Sequence, residues 1–165
     1  MKQVAVTLAL LAVLGLALPL ANLVAGPPDG ALEHADLQRH PGLATVQPLL
    51  TTKCANCHTT RGKMPFYGAL PGAQGLIEHH VRDALRHLNL ESLLASPQPV
   101  PAAILQELTE TLDAREMPPW SYILLHWDGA VNEAETAALQ TWIREERMPR
   151  ANTPAAAPST PPETK

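Results

Sequence analysis

The pentapeptide Cys54-Ala55-Asn56-Cys57-His58 constrains this chain more than any other feature. Two cysteines three positions apart, followed at once by a histidine, form the C-x-x-C-H pattern of c-type haem attachment. At this spacing the two thiols can form thioethers with the two vinyl groups on one side of a porphyrin. The histidine after the second cysteine then lies under the iron, where an imidazole nitrogen can bind it. Cys54 and Cys57 are the only cysteines, so no sulfur remains for a Cys₄ zinc site or an iron–sulfur cluster. A thioredoxin-like dithiol needs a βαβ setting, and no run of β-branched strand residues lies near Cys54. A zinc site has to recruit a fourth ligand from the distant histidines, and a simple disulfide across two residues is possible but strained. On the motif alone these alternatives stay open. Composition favours a prosthetic group: 17 prolines, 9 glycines and one phenylalanine make a lean core, and a buried haem supplies apolar surface that the side chains do not.

The N-terminus gives the compartment. Lys2 is followed by Val4 to Leu18 without a charged residue, and apolar character continues to Ala25. Such a stretch is a secretory signal or a membrane anchor. Leu23-Val24-Ala25 and Val24-Ala25-Gly26 are only fair cleavage sites. A run of about 22 apolar residues is long enough to cross a bilayer, and Pro19 is tolerated there, so the expectation leans towards an anchor. Either way the remainder is exported, to the periplasmic side of a bacterial inner membrane, where c-type haem is attached. The formal net charge is −4, and no basic stripe with interleaved aromatics suggests nucleic-acid binding.

The expected organisation is a signal or anchor over 1–26, a tether over 27–42, one haem domain over 43–149 and a disordered Pro/Ala-rich tail over 150–165. His34 and His40 precede that domain and are expected in solvent. Every periodic signal within it is helical. Leu76, Ile77, His80, Val81, Ala84, Leu85 and Leu88 share one helix face after the Pro71-Gly72 break, and Asn89 can end that helix. A second helix begins near Pro101 and carries Ile104, Leu105, Leu108 and Leu112. A third begins at Asn132, with Glu135 in capping-box position and Ala138, Leu139, Trp142 and Ile143 on its apolar face. A short helix from Leu43 to Leu50 precedes the motif. No segment alternates with period two, so the fold is expected to be all-α: a small cytochrome c-like helical domain around one haem.

A c-type haem has a second axial position, which Met or His usually fills in an electron carrier. Met117 stands before Pro118 and Pro119, which cannot continue a helix, so its thioether is presented on a loop. Its competing role is that of a gap-filling core residue. His126, beside Trp127, can ligate iron or bond a haem propionate. Met64 lies too near the motif to cross to the opposite haem face. His80 and His87 share a helix face and are better read as packing residues. Trp120, Tyr122 and His126 complete the candidate haem contacts.

These residues together resemble the haem-binding cytochrome c domain at the N-terminus of three-haem bacterial cytochrome c (quinol) peroxidases. The resemblance rests on Cys54 to His58, Met64-Pro65-Phe66-Tyr67, Leu70-Pro71-Gly72-Ala73 and Leu88-Asn89-Leu90. It is strongest in Glu116-Met117-Pro118-Pro119, Tyr122, Leu125-His126-Trp127 and Ala138 to Ile143. It covers roughly residues 49–147. It implies His58 as proximal and Met117 as distal ligand, a membrane-anchoring first helix, and electron relay from the quinol pool towards a peroxidase. The sequence contains one C-x-x-C-H and no two-haem region. Peroxidase activity is therefore not carried over, and the expectation is an electron carrier serving a separate periplasmic acceptor. A haem sensor or small haem enzyme with an open sixth position is the alternative.

Overall fold

The computed structural model describes residues 2–26, 32, 35, 37–40, 42–96 and 98–148. The expected tail, His34 and most of the expected tether lie outside these residues. Every regular element among the described residues is helical. The sequence supplies no alternating apolar stretch from which a sheet could bury one face.

Helix α1 (Lys2–Ala25) is apolar all round. Helix α2 (Leu43–Lys53) buries Leu43, Val46 and Leu50, and leads into the single turn α3 (Ala55–His58). A 3₁₀ turn (Phe66–Ala69) precedes α4 (Ala73–His87), which is followed directly by α5 (Leu90–Ala95). Helix α6 (Ala102–Asp113), the turn α7 (Trp120–Ile123), a 3₁₀ turn (Trp127–Gly129) and α8 (Glu133–Arg147) complete the fold.

The core forms where α8 packs on α2 and α6, and where α3 packs on α2 and α5. Leu139, Trp142 and Ile143 of α8 meet Leu43, Val46, Leu90, Leu94 and Leu105. Helix α8 is the best specified element. The Asn132 side chain accepts from the Glu135 amide at 2.9 Å, and the Glu135 carboxylate accepts from the Asn132 amide at 2.8 Å. Together these satisfy donors that the first turn leaves open. Asn132→Ala should cost about 1 kcal/mol of stability in urea unfolding.

Two expectations are corrected. Asn89 does not merely end α4. Its side chain accepts from the Ser92 amide at 3.0 Å and starts α5, a helix whose Leu90 and Leu94 are core residues. His40 is not in solvent. Its ring is fully buried, with Nδ1 3.1 Å from Glu146 Oε1 on the inner face of α8. Leu32 is also buried, so described residues of the 27–42 stretch pack on the domain. The join to α2 is tight. Gly42 has φ 72°, and a Cβ there would strike the Glu145 carboxylate, so only glycine fits without displacement. Glu146→Ala strands the buried His40 ring and should destabilise the domain by about 3 kcal/mol. A loss in urea unfolding below about 1 kcal/mol would mean that the pair is open to water.

Candidate haem site

The motif is wound into one helical turn. Cys54 ends α2 and caps α3, and its carbonyl accepts from the amides of Cys57 at 3.2 Å and His58 at 3.0 Å. Positions i, i+3 and i+4 then lie on one side of the turn, which groups both thiols with the imidazole. Buried Ala55 anchors the turn to the core. The chain doubles back over it, with the Lys63 amide bonded to Asn56 Oδ1 at 2.7 Å. A Cβ on Gly62 would collide with the Asn56 carbonyl.

His58 Nδ1 donates to the Leu88 carbonyl at 2.9 Å, a tautomer assigned from the acceptor it faces. That bond fixes the ring and leaves Nε2 as the free lone pair, the arrangement a metal-ligating histidine requires. Burial holds the His58 pKa below the usual histidine range, outweighing the Leu88 and Ala84 carbonyls that favour the proton. The ring is therefore neutral and ready to ligate near pH 7.

The thiols are unlike those of a redox dithiol. Burial, then the neighbouring Cys57, push the Cys54 pKa up to about 12, with Lys53 opposing. Burial also raises Cys57. A reactive dithiol needs the opposite shift, and no strand among the described residues supplies a βαβ setting. The described residues also hold no group of three or more His, Cys, Asp or Glu side chains fit for a metal ion. The zinc alternative therefore lacks a donor set there.

Beside the motif lies an aromatic group. His126 is buried, stacked on Tyr122 with ring centroids 4.1 Å apart, and its Nε2 is 2.9 Å from the Tyr67 hydroxyl. Burial lowers the His126 pKa, with Asp128 opposing. Burial raises the Tyr67 and Tyr122 pKa values, and the nearby Cys57 adds to both shifts. Tyr67 therefore stays protonated, and with its hydroxyl assigned as donor to Nε2 the His126 proton is placed on Nδ1. That buried Nδ1 has no hydrogen-bond partner among the described residues. Gly129 gives the stack its room, since a Cβ there would come within 2.7 Å of the Tyr122 ring.

Of the residues expected from the sequence, Cys54, Cys57, His58, Tyr122 and His126 are brought together. Met117 lies on the link between α6 and α7, 45 % exposed, and Trp120 opens α7, 79 % exposed. Among the described residues no hydrogen bond or ring contact ties either of them to the aromatic group. Met64 packs its Cγ and Sδ over Gly68 beside Ile77. His80 and His87 are exposed, and His87 faces Glu107 at 3.7 Å. Sequence reasoning missed Tyr67 as a site member, although it lies in Phe66-Tyr67, an aromatic pair in a chain with few aromatics. It also missed the Leu88 carbonyl, a backbone atom with no residue signature.

The surroundings fit a large flat apolar group. Helix α4 is strongly amphipathic yet buries none of its residues. Leu76, Met64, Phe66, Leu70 and Trp120 are large and exposed. Large exposed apolar side chains of this kind are what a flat apolar ligand can cover. An unpaired buried imidazole N–H beside it suits an acidic acceptor such as a haem propionate.

Comparison with known proteins agrees with this geometry. Over 97 residues, 57 % of the chain, it is 32 % identical to cytochrome c peroxidase Ccp of Escherichia coli (strain K12). The chain spans about a fifth of that relative's length, 21 %. No solved structure matches it. The model of the haem-binding domain family matches residues 27–145, and the chain belongs to that family.

Proposed function

We propose that this domain is an exported monohaem c-type cytochrome that carries electrons. Its haem is bound covalently through Cys54 and Cys57, with His58 as proximal and Met117 as distal ligand. The carrying observation is the His58–Leu88 bond inside a C-x-x-C-H turn. When bound, the haem supplies a one-electron couple whose potential a thioether ligand raises. The chain's own residues do the rest. The Leu88 carbonyl holds the imidazole in one orientation, so little rearrangement accompanies a change of iron charge. Tyr67 occupies His126 Nε2, which favours Met117 over His126 as distal ligand. His126 Nδ1 is then free to donate to a propionate. In this reading the domain acts as an electron carrier, a role that requires no nucleophile–base pair.

In this reading α1 crosses the inner membrane, the domain faces the periplasm, and quinol in the bilayer is the source of electrons. The acceptor is a periplasmic peroxidase or another oxidoreductase, as the likeness to a cytochrome c peroxidase suggests. The purified chain should give a reduced low-spin haem spectrum and the far-red ferric band of iron–thioether ligation. A high-spin ferric spectrum that responds at once to cyanide would instead support the open-site haem sensor or enzyme. A chain that carries no haem would sink both.

A further inference from the structure

Helix α1 has one feature that spanning a membrane does not require. Beyond Thr7 its only hydrogen-bonding side chain is Asn22, and an amide in an apolar setting is unfavourable unless it finds a partner. Asn22 is 3 % exposed, and its Nδ2 donates to the Leu125 carbonyl at 2.7 Å. Pro19, one turn earlier, is also buried. The same end of α1 touches the 3₁₀ turn Trp127–Gly129. The first helix is thus packed against the segment that carries His126.

We propose that α1 stays on the mature protein as a docked strut. Its C-terminal turn holds the Leu124–Trp127 edge of the haem domain against the lipid surface. The proposal rests on the reading that α1 crosses the membrane. Its geometry sets the depth: at 1.5 Å per residue, Asn22 lies about 30 Å along the helix from Lys2. That equals the roughly 30 Å of hydrocarbon in a bilayer. With Lys2 at the inner boundary, Asn22 reaches the outer one, and the Leu125 carbonyl bonded to it lies at the same height. Leu124 and Trp127 are then at headgroup level, 61 % and 44 % exposed, where tryptophan is favoured. The partner of this edge is the bilayer interface. A lipid-soluble reductant in the outer leaflet then lies next to the segment bearing His126, with no diffusing intermediary.

The test uses the full holoprotein in vesicles of phosphatidylethanolamine and phosphatidylglycerol, dried into stacked bilayers. A docked domain holds its haem at one angle to the membrane, so the ferric EPR signals should vary in intensity as the stack is rotated. Asn22→Leu keeps the helix apolar and membrane-bound but removes the bond. It should lose that angular dependence with an unchanged visible spectrum. Mass analysis of the extracted chain separates the failures. Loss of residues 1–25 overturns both the anchor reading and the docked strut. An intact chain with no angular dependence overturns docking alone. Equal angular dependence in wild type and Asn22→Leu overturns the role of Asn22. An unexpected ligand set changes the visible spectrum and bears only on the proposed electron-transfer site.

Discussion

Replacing both Cys54 and Cys57 by serine should abolish covalently held haem. After denaturation and acid–acetone extraction the wild-type polypeptide should retain its pigment, and the double variant should retain none. The two thiols and the imidazole lie on one side of a single turn, so the reach needed for two thioethers is built into the backbone. The variant should also be less stable. Helix α4 buries none of its residues fully, and a flat ligand against its apolar face would complete the cover that α3 and the 3₁₀ turn begin. Covering apolar surface contributes roughly 25 cal/mol per Å², so several hundred Å² is worth several kcal/mol. The double variant should bind a hydrophobic dye that the holoprotein excludes, and should melt at lower temperature. Single variants should keep one thioether and lose less. Pigment that stays with the denatured double variant would mean attachment elsewhere on the chain.

The sequence carried most of this fold because the helices are locally specified. Asn132 and Glu135 announce α8, Pro101 and its apolar spacing announce α6, and the stripe through Leu76, Ile77 and Val81 announces α4. Short elements escaped because one turn has no period to detect. Helix α5 hid behind an Asn89 that reads equally well as the end of one helix and the cap of the next. His40 was misplaced because its partner, Glu146, lies more than a hundred residues away, and no local pattern encodes that pairing. Of the site, the motif and the segment Tyr122–His126 were legible as residue types. The Leu88 carbonyl was not, since every residue offers one and only the α4–α5 turn aims this one at His58. Tyr67 became a site residue only through the fold, which brings the turn after the motif against His126. Asn22 carries no signal in the sequence, and its role comes only from the Leu125 carbonyl that the fold brings to it.

Met117→Ala should remove the far-red ferric band and lower the reduction potential by a few tenths of a volt, a sizeable share of the roughly 0.8 V that axial ligation spans. Methionine offers a soft thioether that favours ferrous iron, and alanine offers nothing. The side chain is 45 % exposed on a link bounded by Pro118 and Pro119, so its removal creates no core cavity and the fold should hold. His126→Ala is the informative control. That ring is buried, stacked on Tyr122 and bonded to Tyr67, so its loss should cost stability, about 2 kcal/mol for an emptied site that leaves a hydroxyl unpaired. The far-red band should survive. The two variants therefore separate ligation from packing: one changes the spectrum with little effect on unfolding, and the other does the reverse. Retention of the band in Met117→Ala would move the distal position to another thioether, and a low-spin wild-type spectrum that lacks the band and turns high-spin in His126→Ala would place it on His126.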